Sequence, residues 1–234
     1  MDSTEKNENL GSPIAKSRLY PAFLALEGKV CVVVGGGRVA ARKVGALLAA
    51  GARVVVISAV LHPDLQALLA DGAIEHIPDN YAEEHMSGTG ARLVFAATDK
   101  SEVNLRIAQD ARKLGLWVNV ADNPGESDFQ VPATIQRQDL TLAISTRGGS
   151  PAFARYVREL LERVLSEALG QTLEMVAQAR PLILAQTKER QAQLWESLLA
   201  LQLETVIETQ GYAVAREMFE RWIEEFVHRR ERGR

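Results

Sequence analysis

The chain has 234 residues, and 47% of them are apolar, which is enough to bury a core in one large domain or two smaller ones. Acidic and basic residues nearly balance at a formal net charge of -3, which argues against a chain that binds nucleic acid or an anionic membrane through its overall field. No segment approaches the roughly 20 consecutive apolar residues of a membrane span, and residues 1–18 lack the apolar stretch of a signal peptide. The single cysteine, Cys31, lies inside an apolar run and has no partner in the chain, which is typical of a reducing compartment. We therefore expect a soluble cytoplasmic protein, with a disordered arm at 1–18.

From residue 29 to residue 119, short β-branched runs alternate with helical patterns, which is typical of βαβ units and a parallel sheet. The predicted strands are 30–34, 53–57, 74–76, 93–97 and 117–120. The predicted helices lie between the first two strands, where Gly51 supplies the stop, and at 61–70 and 101–114. These elements predict an α/β, Rossmann-type parallel-sheet domain at 19–127.

The pattern changes after Asp122. Two β-like runs, 129–136 and 140–145, predict a hairpin, and the glycine-containing loop after it leads into helices. The helix that starts near Phe153 carries a continuous apolar face, and later helices are predicted at 182–209 and 212–229. Interruptions are expected at three residues: Gly170, Pro181 and Gly211. We therefore assign 128–168 to a region with the hairpin and the apolar helix, and 169–234 to a C-terminal helical region.

The strongest local motif is the run GGGRVA at 35–40, which closes the first strand and opens the first helix. It matches the G-x-G-x-x-G/A fingerprint of dinucleotide-binding domains, in which Gly35 permits the tight turn and Gly37 lets the backbone approach the pyrophosphate. The acidic residue that usually follows about 20 residues later is absent. Charge therefore does not separate NAD from NADP, and backbone groups around Ala59 and Val60 are candidates to hold the adenosine.

Polar residues also follow two later strands, at the edge of the sheet where ligands bind in open α/β folds. Thr98 and Asp99 come after the fourth strand, although Asp99 with Glu102 would also form a capping pair for the next helix. Asp122 comes after the fifth strand, and the alternative interpretation is an ordinary turn before Pro124.

Arginines lie around the glycine loop 146–151 and the helix that follows it. Arg147, Arg155 and Arg158 could meet a polycarboxylate, although arginines on an amphipathic helix are commonly solvated surface residues. The four histidines show no metal-ligand spacing, so no metal site is predicted.

Four stretches between Tyr20 and about Val164 resemble one known family in sequence and in order: YPAFLALEGKVCVVVGGGRVAARKV, FAATDKSEVNLRIAQDA, NVADNPGESDFQVPA and LAISTRGGSPAFARYVRELLE. They are similar to the precorrin-2 dehydrogenase module of siroheme synthases. The resemblance implies oxidation of precorrin-2 to sirohydrochlorin in siroheme biosynthesis, with NAD as the hydride acceptor.

The resemblance also implies roles for individual residues. Arg38 and Val39 would contact the cofactor, as would Ala59 and Val60, and Asp122 matches the family's catalytic aspartate.

In the region 128–168, the resemblance implies substrate binding and dimerisation, because the family's members are intertwined homodimers. The candidate contacts for the tetrapyrrole are Arg147, Gly148, Ser150 and Arg155. Thr146 stands where some members carry a phosphorylated serine, so that regulation stays open here.

Two alternatives remain beside this dehydrogenase. Some family members also insert iron into sirohydrochlorin, and the role of the residues from about 170 onward is open. A nucleotide-binding regulatory module of the kind found in potassium transport systems has the same first domain, but it lacks the hairpin and glycine loop of 129–151.

Overall fold

The structure is a computed structural model that describes residues 19–231, so the predicted arm at 1–18 lies outside the described residues. By its internal contacts the chain divides into two units. The first ends at Val131 and also includes Arg147–Gly149, and the second consists of Pro132–Thr146 and the residues from Ser150 onward. Within residues 19–231, no helix is both long enough and apolar enough to cross a membrane.

The first unit contains a parallel sheet of five strands. The strands are β1 (Val30–Val34), β2 (Arg53–Ile57), β3 (Ile74–Ile77), β4 (Ala91–Ala96) and β5 (Trp117–Val120). The helices between them are α1 (Arg38–Ala49), α2 (Pro63–Ala70) and α3 (Ser101–Lys113). The strand order β3-β2-β1-β4-β5 confirms the predicted Rossmann-type fold, and the order reverses between β1 and β4. In open α/β sheets this reversal creates a crevice outside the carboxyl ends of the strands.

Both faces of the sheet are buried, which explains the nearly continuous apolar runs of its strands. Alternate residues of β1 point to opposite faces, so Val33 joins the core under α1 and α2, whereas Val32 joins the core under α3. Val44 of α1 and Ile107 of α3 are fully buried against these two faces. The predicted stop at Gly51 follows the end of α1 and adopts a left-handed φ of 74°.

The second unit begins with the predicted hairpin, which is confirmed as β6 (Ala133–Arg137) and β7 (Leu140–Ile144) in antiparallel pairing. The first β-like run was predicted to start at residue 129, and it starts four residues later. The reason is that Phe129 has another partner, since its carbonyl oxygen accepts a hydrogen bond of 3.0 Å from the side chain of Asn119 in β5.

Among the described residues of the second unit, five helices follow the hairpin: α4 (Pro151–Glu162), α5 (Glu167–Leu184), α6 (Lys188–Leu199), α7 (Leu203–Gln210) and α8 (Tyr212–Glu231). The helix predicted near Phe153 starts at Pro151, because the Ser150 hydroxyl accepts a hydrogen bond of 3.1 Å from the Phe153 amide and caps it. The second unit has its own apolar core, built from α5 to α8.

The prediction of one helix at 182–209 is wrong, since the end of α5, all of α6 and most of α7 occupy that range. Gly170 and Pro181 were expected to interrupt the helices, but both lie inside α5. The real boundaries are a Thr187 side chain that caps α6 and a left-handed Gln202 before α7. Only Gly211 acts as predicted, with a φ of 96° at the end of α7.

Gly170 provides a stability test, because a Cβ on it would stand 2.6 Å from the Arg137 carbonyl oxygen. In an open helical position, Gly→Ala stabilises by about 0.5–1 kcal/mol. We expect Gly170→Ala instead to destabilise the protein by about 1–3 kcal/mol, the usual range for overpacking. The matched control is Gly45→Ala in α1, where a Cβ would meet nothing within 4 Å and where we expect stabilisation. Urea unfolding followed by circular dichroism measures both, and a gain in stability for both variants would contradict the close packing at Gly170.

Candidate functional site

A cleft of about 1080 Å³ lies at the carboxyl edge of the parallel sheet, within the first unit. This volume is at the upper end of the range for small-molecule sites, roughly 300–1,000 Å³. The cleft is lined mainly by the residues that follow the five strands β1 to β5. All the residues predicted from the sequence for the cofactor line it, together with the predicted catalytic residue: Gly35, Gly37, Arg38, Val39, Ala59, Val60, Thr98, Asp99 and Asp122.

The glycine turn after β1 forms the middle of the cleft, and its three glycines have different surroundings. A Cβ on Gly35, whose φ is 121°, would overlap the Ala97 carbonyl oxygen after β4. A Cβ on Gly36 would overlap the Val60 carbonyl oxygen after β2, a requirement that sequence analysis missed because the fingerprint leaves this position free. Gly37 differs, because a Cβ there would meet nothing within 4 Å. The first two glycines therefore fit the protein itself, and the third leaves space on the cleft side.

The start of α1 suits an anionic group. Gly37 is the N-cap, no side chain caps the helix there, and its first turn contains no acidic residue. The first backbone N–H groups of a helix and its dipole favour phosphate at this end. Arg38 and Arg42 line the same cleft and add positive charge. The residues present therefore fit the pyrophosphate of a dinucleotide.

The end of β2 contains no carboxylate that could bind the ribose hydroxyls of the cofactor. The Ser58 hydroxyl donates a hydrogen bond of 2.8 Å to the Val60 carbonyl oxygen and so shapes the turn instead. Val39 and Val60 line the cleft with 44% and 75% of their surfaces exposed, which gives the site apolar walls for a planar ring.

Thr98 belongs to a hydrogen-bonded loop at the end of β4. Its hydroxyl donates to the Asn104 Oδ1 atom at 2.7 Å, and its amide donates to the same oxygen at 3.1 Å. The alternative interpretation of Asp99 and Glu102 as a capping pair is wrong, because Lys100 is the N-cap of α3 and no side chain caps that helix.

Asp122 is bound to α3 through both of its carboxylate oxygens. The Ser101 hydroxyl donates to Oδ2 at 2.6 Å, and the Asn104 side-chain amide donates to Oδ1 at 2.9 Å. The turn before Pro124 is shaped by Asn123, whose side chain accepts a hydrogen bond of 3.1 Å from the Gly125 amide. The turn interpretation therefore does not describe the Asp122 side chain. The hydrogen bond from Ser101, followed by that from Asn104, lowers the pKa of Asp122, so an ionised carboxylate lines the cleft.

The segment after Asp122 pairs with the exposed edge of β5. The Asp128 amide donates to the Val118 carbonyl oxygen at 2.8 Å, and the Val118 amide donates back to the Asp128 carboxylate at 3.0 Å. The Val120 amide donates to the Ser127 hydroxyl at 2.9 Å, and Arg112 of α3 donates to the Asp128 carboxylate at 3.3 Å. Asp122 is thus held between β5 and a segment that is itself fixed.

The four residues predicted for the substrate are divided between the two units. Arg147 and Gly148 belong to the first unit and have left-handed φ values of 54° and 78°. Ser150 and Arg155 belong to the second unit, where Ser150 caps α4 and Arg155 is exposed. The Thr146 hydroxyl accepts a hydrogen bond of 3.1 Å from the Ser150 amide and so stabilises the loop that precedes α4.

Ser101 and Asn104 are the side chains of this site that sequence analysis missed. They occupy the first and fourth positions of α3, so they share one face of its first turn. A signal was present, because these polar residues start a helix directly after a strand that ends at the ligand-binding edge. Their common partner, however, lies 18 or more residues away in the chain.

Comparison with known proteins gives two family matches that follow each other along the chain. Residues 22–133 match the family described as "Putative NAD(P)-binding", and residues 137–163 match "Sirohaem biosynthesis protein central". Siroheme synthase 1 of Aeromonas salmonicida (strain A449) is 40% identical over 182 residues, which cover 77% of this chain and 38% of that protein. The siroheme synthase of Chromobacterium violaceum is 36% identical over 206 residues, which cover 87% of this chain and 43% of that protein.

A solved structure, "SirC, precorrin-2 dehydrogenase", matches with a TM-score of 0.69 and 27% identity, and the match covers 88% of this chain and 100% of that one. The chain spans less than half of the length of the siroheme synthases that it matches. The two family matches together cover more than half of the chain, and they agree with the resemblance seen in the sequence. The chain is therefore similar to proteins of sirohaem biosynthesis, with a match to an NAD(P)-binding domain followed directly by a match to the sirohaem biosynthesis central segment.

Proposed function

We propose that this chain is an NAD-dependent dehydrogenase that oxidises precorrin-2 to sirohydrochlorin in siroheme biosynthesis. The observation that carries the proposal is a single cleft in which a glycine turn suited to a pyrophosphate lies at the same sheet edge as an ionised Asp122. The similarity to siroheme synthases and to a precorrin-2 dehydrogenase supports the same reaction.

In this proposal the start of α1 holds the cofactor. Backbone N–H groups after Gly35 and Gly37, with the Arg38 guanidinium, bind the pyrophosphate, and the backbone at Ala59 holds the adenosine. Val39 and Val60 supply the apolar walls, and Thr98 and Asp99 border the nicotinamide end of the cleft. When bound, the nicotinamide supplies the acceptor for the hydride that leaves the substrate.

Asp122 is the proposed catalytic residue. Loss of a hydride leaves positive charge on the macrocycle, and a proton must then leave to complete the oxidation. A general base works best when its pKa lies near the working pH, whereas the pKa of Asp122 is lowered by its hydrogen bonds from Ser101 and Asn104. We therefore assign Asp122 mainly to electrostatic stabilisation of the cation that forms, a role in which permanent charge is an advantage.

The substrate is a tetrapyrrole with several carboxylates, and the proposed contacts to it come from Arg147, Gly148, Ser150 and Arg155. Guanidinium groups pair with carboxylates through two parallel hydrogen bonds, so the arginines are suited to this class of ligand.

We also propose that the protein is cytoplasmic. Cys31 is a buried free thiol, and burial raises its pKa to about 11, which fits the reducing environment of the cytoplasm.

We also propose a homodimer formed through the region 128–168. Val164, in the turn that follows α4, is 72% exposed in the single chain. Three apolar side chains on α4 itself are also exposed, at 57% for Phe153, 58% for Tyr156 and 47% for Leu160. They follow helical spacing and therefore form one stripe. An apolar stripe of this kind marks an interaction surface, and a two-fold axis would cover it with its own copy.

The pyrophosphate assignment is tested by Gly37→Val. A side chain there would occupy the space that the pyrophosphate of the cofactor needs, while no protein atom lies within 4 Å of the added Cβ. We expect the Kd for NAD, measured by calorimetry, to rise by at least about tenfold, or about 1.4 kcal/mol, with the melting temperature nearly unchanged. The matched control is Gly45→Val in the same helix, which also has open space but does not line the cleft. An unaltered Kd in the folded Gly37→Val variant would remove the pyrophosphate from this position.

The catalytic assignment is tested by Asp122→Asn, which keeps the shape of the side chain and removes its charge. We expect turnover of precorrin-2 at saturating NAD to fall by at least roughly 100-fold, while the Kd for NAD is retained. The control is Asn123→Ala, which removes the side chain that shapes the turn and should cost about 1 kcal/mol of stability with most of the turnover kept. Near-normal turnover in Asp122→Asn, or an equal loss in Asn123→Ala, would show that the carboxylate is not the catalytic group.

The homodimer is tested by Tyr156→Glu, which places a charge in the middle of the exposed stripe of α4. We expect light scattering to find a dimer for the parent protein at micromolar concentration and a monomer for the variant, because burying an unpaired carboxylate is costly. The control is Leu69→Glu on α2, which adds the same charge to a partly exposed leucine of the first unit and should leave the dimer intact. A monomeric parent protein would contradict the proposed assembly.

A further inference from the structure

The Asn104 side chain is the most deeply buried polar group near the cleft, with 0% of its surface exposed. It forms four hydrogen bonds to two segments. Its Oδ1 atom accepts from the Thr98 amide at 3.1 Å and from the Thr98 hydroxyl at 2.7 Å. Its Nδ2 atom donates to the Thr98 carbonyl oxygen at 3.2 Å and to Asp122 Oδ1 at 2.9 Å. Asn104 thus connects the end of β4 to the end of β5.

The orientation of the Asn104 amide follows from its partners. A backbone N–H can only donate, so the Thr98 amide requires the oxygen of Asn104 on its side. The nitrogen must then face Asp122, whose ionised carboxylate can only accept. The two requirements agree, and the amide cannot rotate without losing hydrogen bonds at both segments.

Ser101 supplies the second fixed contact of the same carboxylate. Its hydroxyl donates to Asp122 Oδ2 at 2.6 Å, while Asn104 donates to Oδ1. Two donors on the two oxygens fix the plane of the carboxylate as well as its position. Both donors come from the first turn of α3, where the helix dipole also favours a negative charge.

We propose that Ser101 and Asn104 are positioning residues that hold the Asp122 carboxylate in one orientation at the cleft. Through its hydrogen bonds to Thr98, Asn104 also fixes the position of this carboxylate relative to the loop that follows β4. This inference rests on the proposed function, because it assigns these residues a part in catalysis only if Asp122 takes part in it. It goes beyond that function by naming two side chains that affect the rate through their hydrogen bonds to Asp122.

The pH dependence of the rate separates this role from a purely structural one. Both hydrogen bonds stabilise the ionised form and lower the pKa of Asp122. The active, ionised enzyme therefore persists until the pH falls through this lowered pKa. Removal of either donor raises the pKa, so the loss of activity on the acid side should move to a higher pH.

The principal variant is Asn104→Asp, which keeps the size of the side chain and the acceptor oxygen for the Thr98 amide and hydroxyl. It replaces the group that donates to Asp122 and to the Thr98 carbonyl oxygen with a second carboxylate oxygen. We expect kcat for precorrin-2 to fall by about tenfold or more at neutral pH. The acid limb of kcat/KM should move upward by at least about one pH unit, because like charges oppose ionisation. The Kd for NAD should stay within about twofold of the parent value, because the acceptor for Thr98 is retained.

Ser101→Ala keeps the test valid if the buried variant folds poorly, since Ser101 is exposed and its hydroxyl can be removed without a cavity in the core. We expect a smaller shift of the acid limb in the same direction. The matched control is Ile107→Ala, which empties a fully buried site on the same helix and lowers the melting temperature without contacting Asp122. Its rate should show the parent pH dependence.

The exchange variant Asn104→Asp with Asp122→Asn restores a hydrogen-bonded pair and moves the charge to the other side of it. We expect the melting temperature to recover toward the parent value while turnover stays as low as in Asp122→Asn. Recovery of turnover together with stability would overturn the proposal, because pairing alone would then be sufficient.

The outcomes for the two assignments are distinct. If Asp122→Asn is inactive but Asn104→Asp and Ser101→Ala both show the parent pH profile, the positioning role is wrong and the proposed function stands. If Asp122→Asn turns over precorrin-2 normally, the catalytic assignment itself is wrong, and the positioning role is overturned with it.

Discussion

The contact on which the site depends is made by backbone atoms alone, at the point where the turn after β1 passes the ends of β2 and β4. Gly35 lies so close to the Ala97 carbonyl, and Gly36 to the Val60 carbonyl, that no Cβ fits at either position. Because these contacts join the first helix to loops on both sides, they fix the middle of the cleft without using any side chain. A ligand that enters there meets backbone groups and the positive end of α1, an arrangement that suits a phosphate group.

Helix α3 performs the corresponding task on the other side of the cleft, and it does so with buried polar atoms. A side-chain amide in the interior is costly unless its hydrogen bonds are made, and Asn104 makes four. A fully satisfied buried group of this kind favours a single arrangement, because any displacement leaves donors or acceptors unpaired. Polar side chains also satisfy the edge of β5, because the Ser127 hydroxyl and the Asp128 carboxylate accept hydrogen bonds from its backbone amides. Arg112 of α3 donates a further hydrogen bond to the Asp128 carboxylate. Polar side chains thus fix the ends of β4 and β5, the two strands next to Asp122.

The sheet and the glycine turn could be predicted from the sequence, because both depend on patterns of residues that are close together in the chain. The β-branched runs and the position of Gly35 and Gly37 between a strand and a helix need no knowledge of distant residues. The errors arise where a local signal competes with a long-range contact. Gly170 resembles a helix stop, but its lack of a side chain serves close packing against the Arg137 carbonyl inside α5. Asp99 resembles a helix cap by spacing, whereas the polar side chain that organises this loop is Asn104, whose partner at residue 122 cannot be found from spacing.

Charged groups of both signs line the cleft, and the positions of three of them bear on how a dehydrogenase could use it. Arg38, Arg42 and the start of α1 favour negative groups, whereas Asp122 favours a positive one. In the proposed reaction the cofactor brings negative phosphates to the first region, and the macrocycle becomes positive beside the second as the hydride leaves. Since the hydrogen bonds that fix Asp122 also lower its pKa, the residue is a weak proton acceptor at neutral pH and a strong electrostatic partner. Asp122 is exposed in the single chain. In the proposed reaction water therefore takes the proton, and the carboxylate keeps its charge.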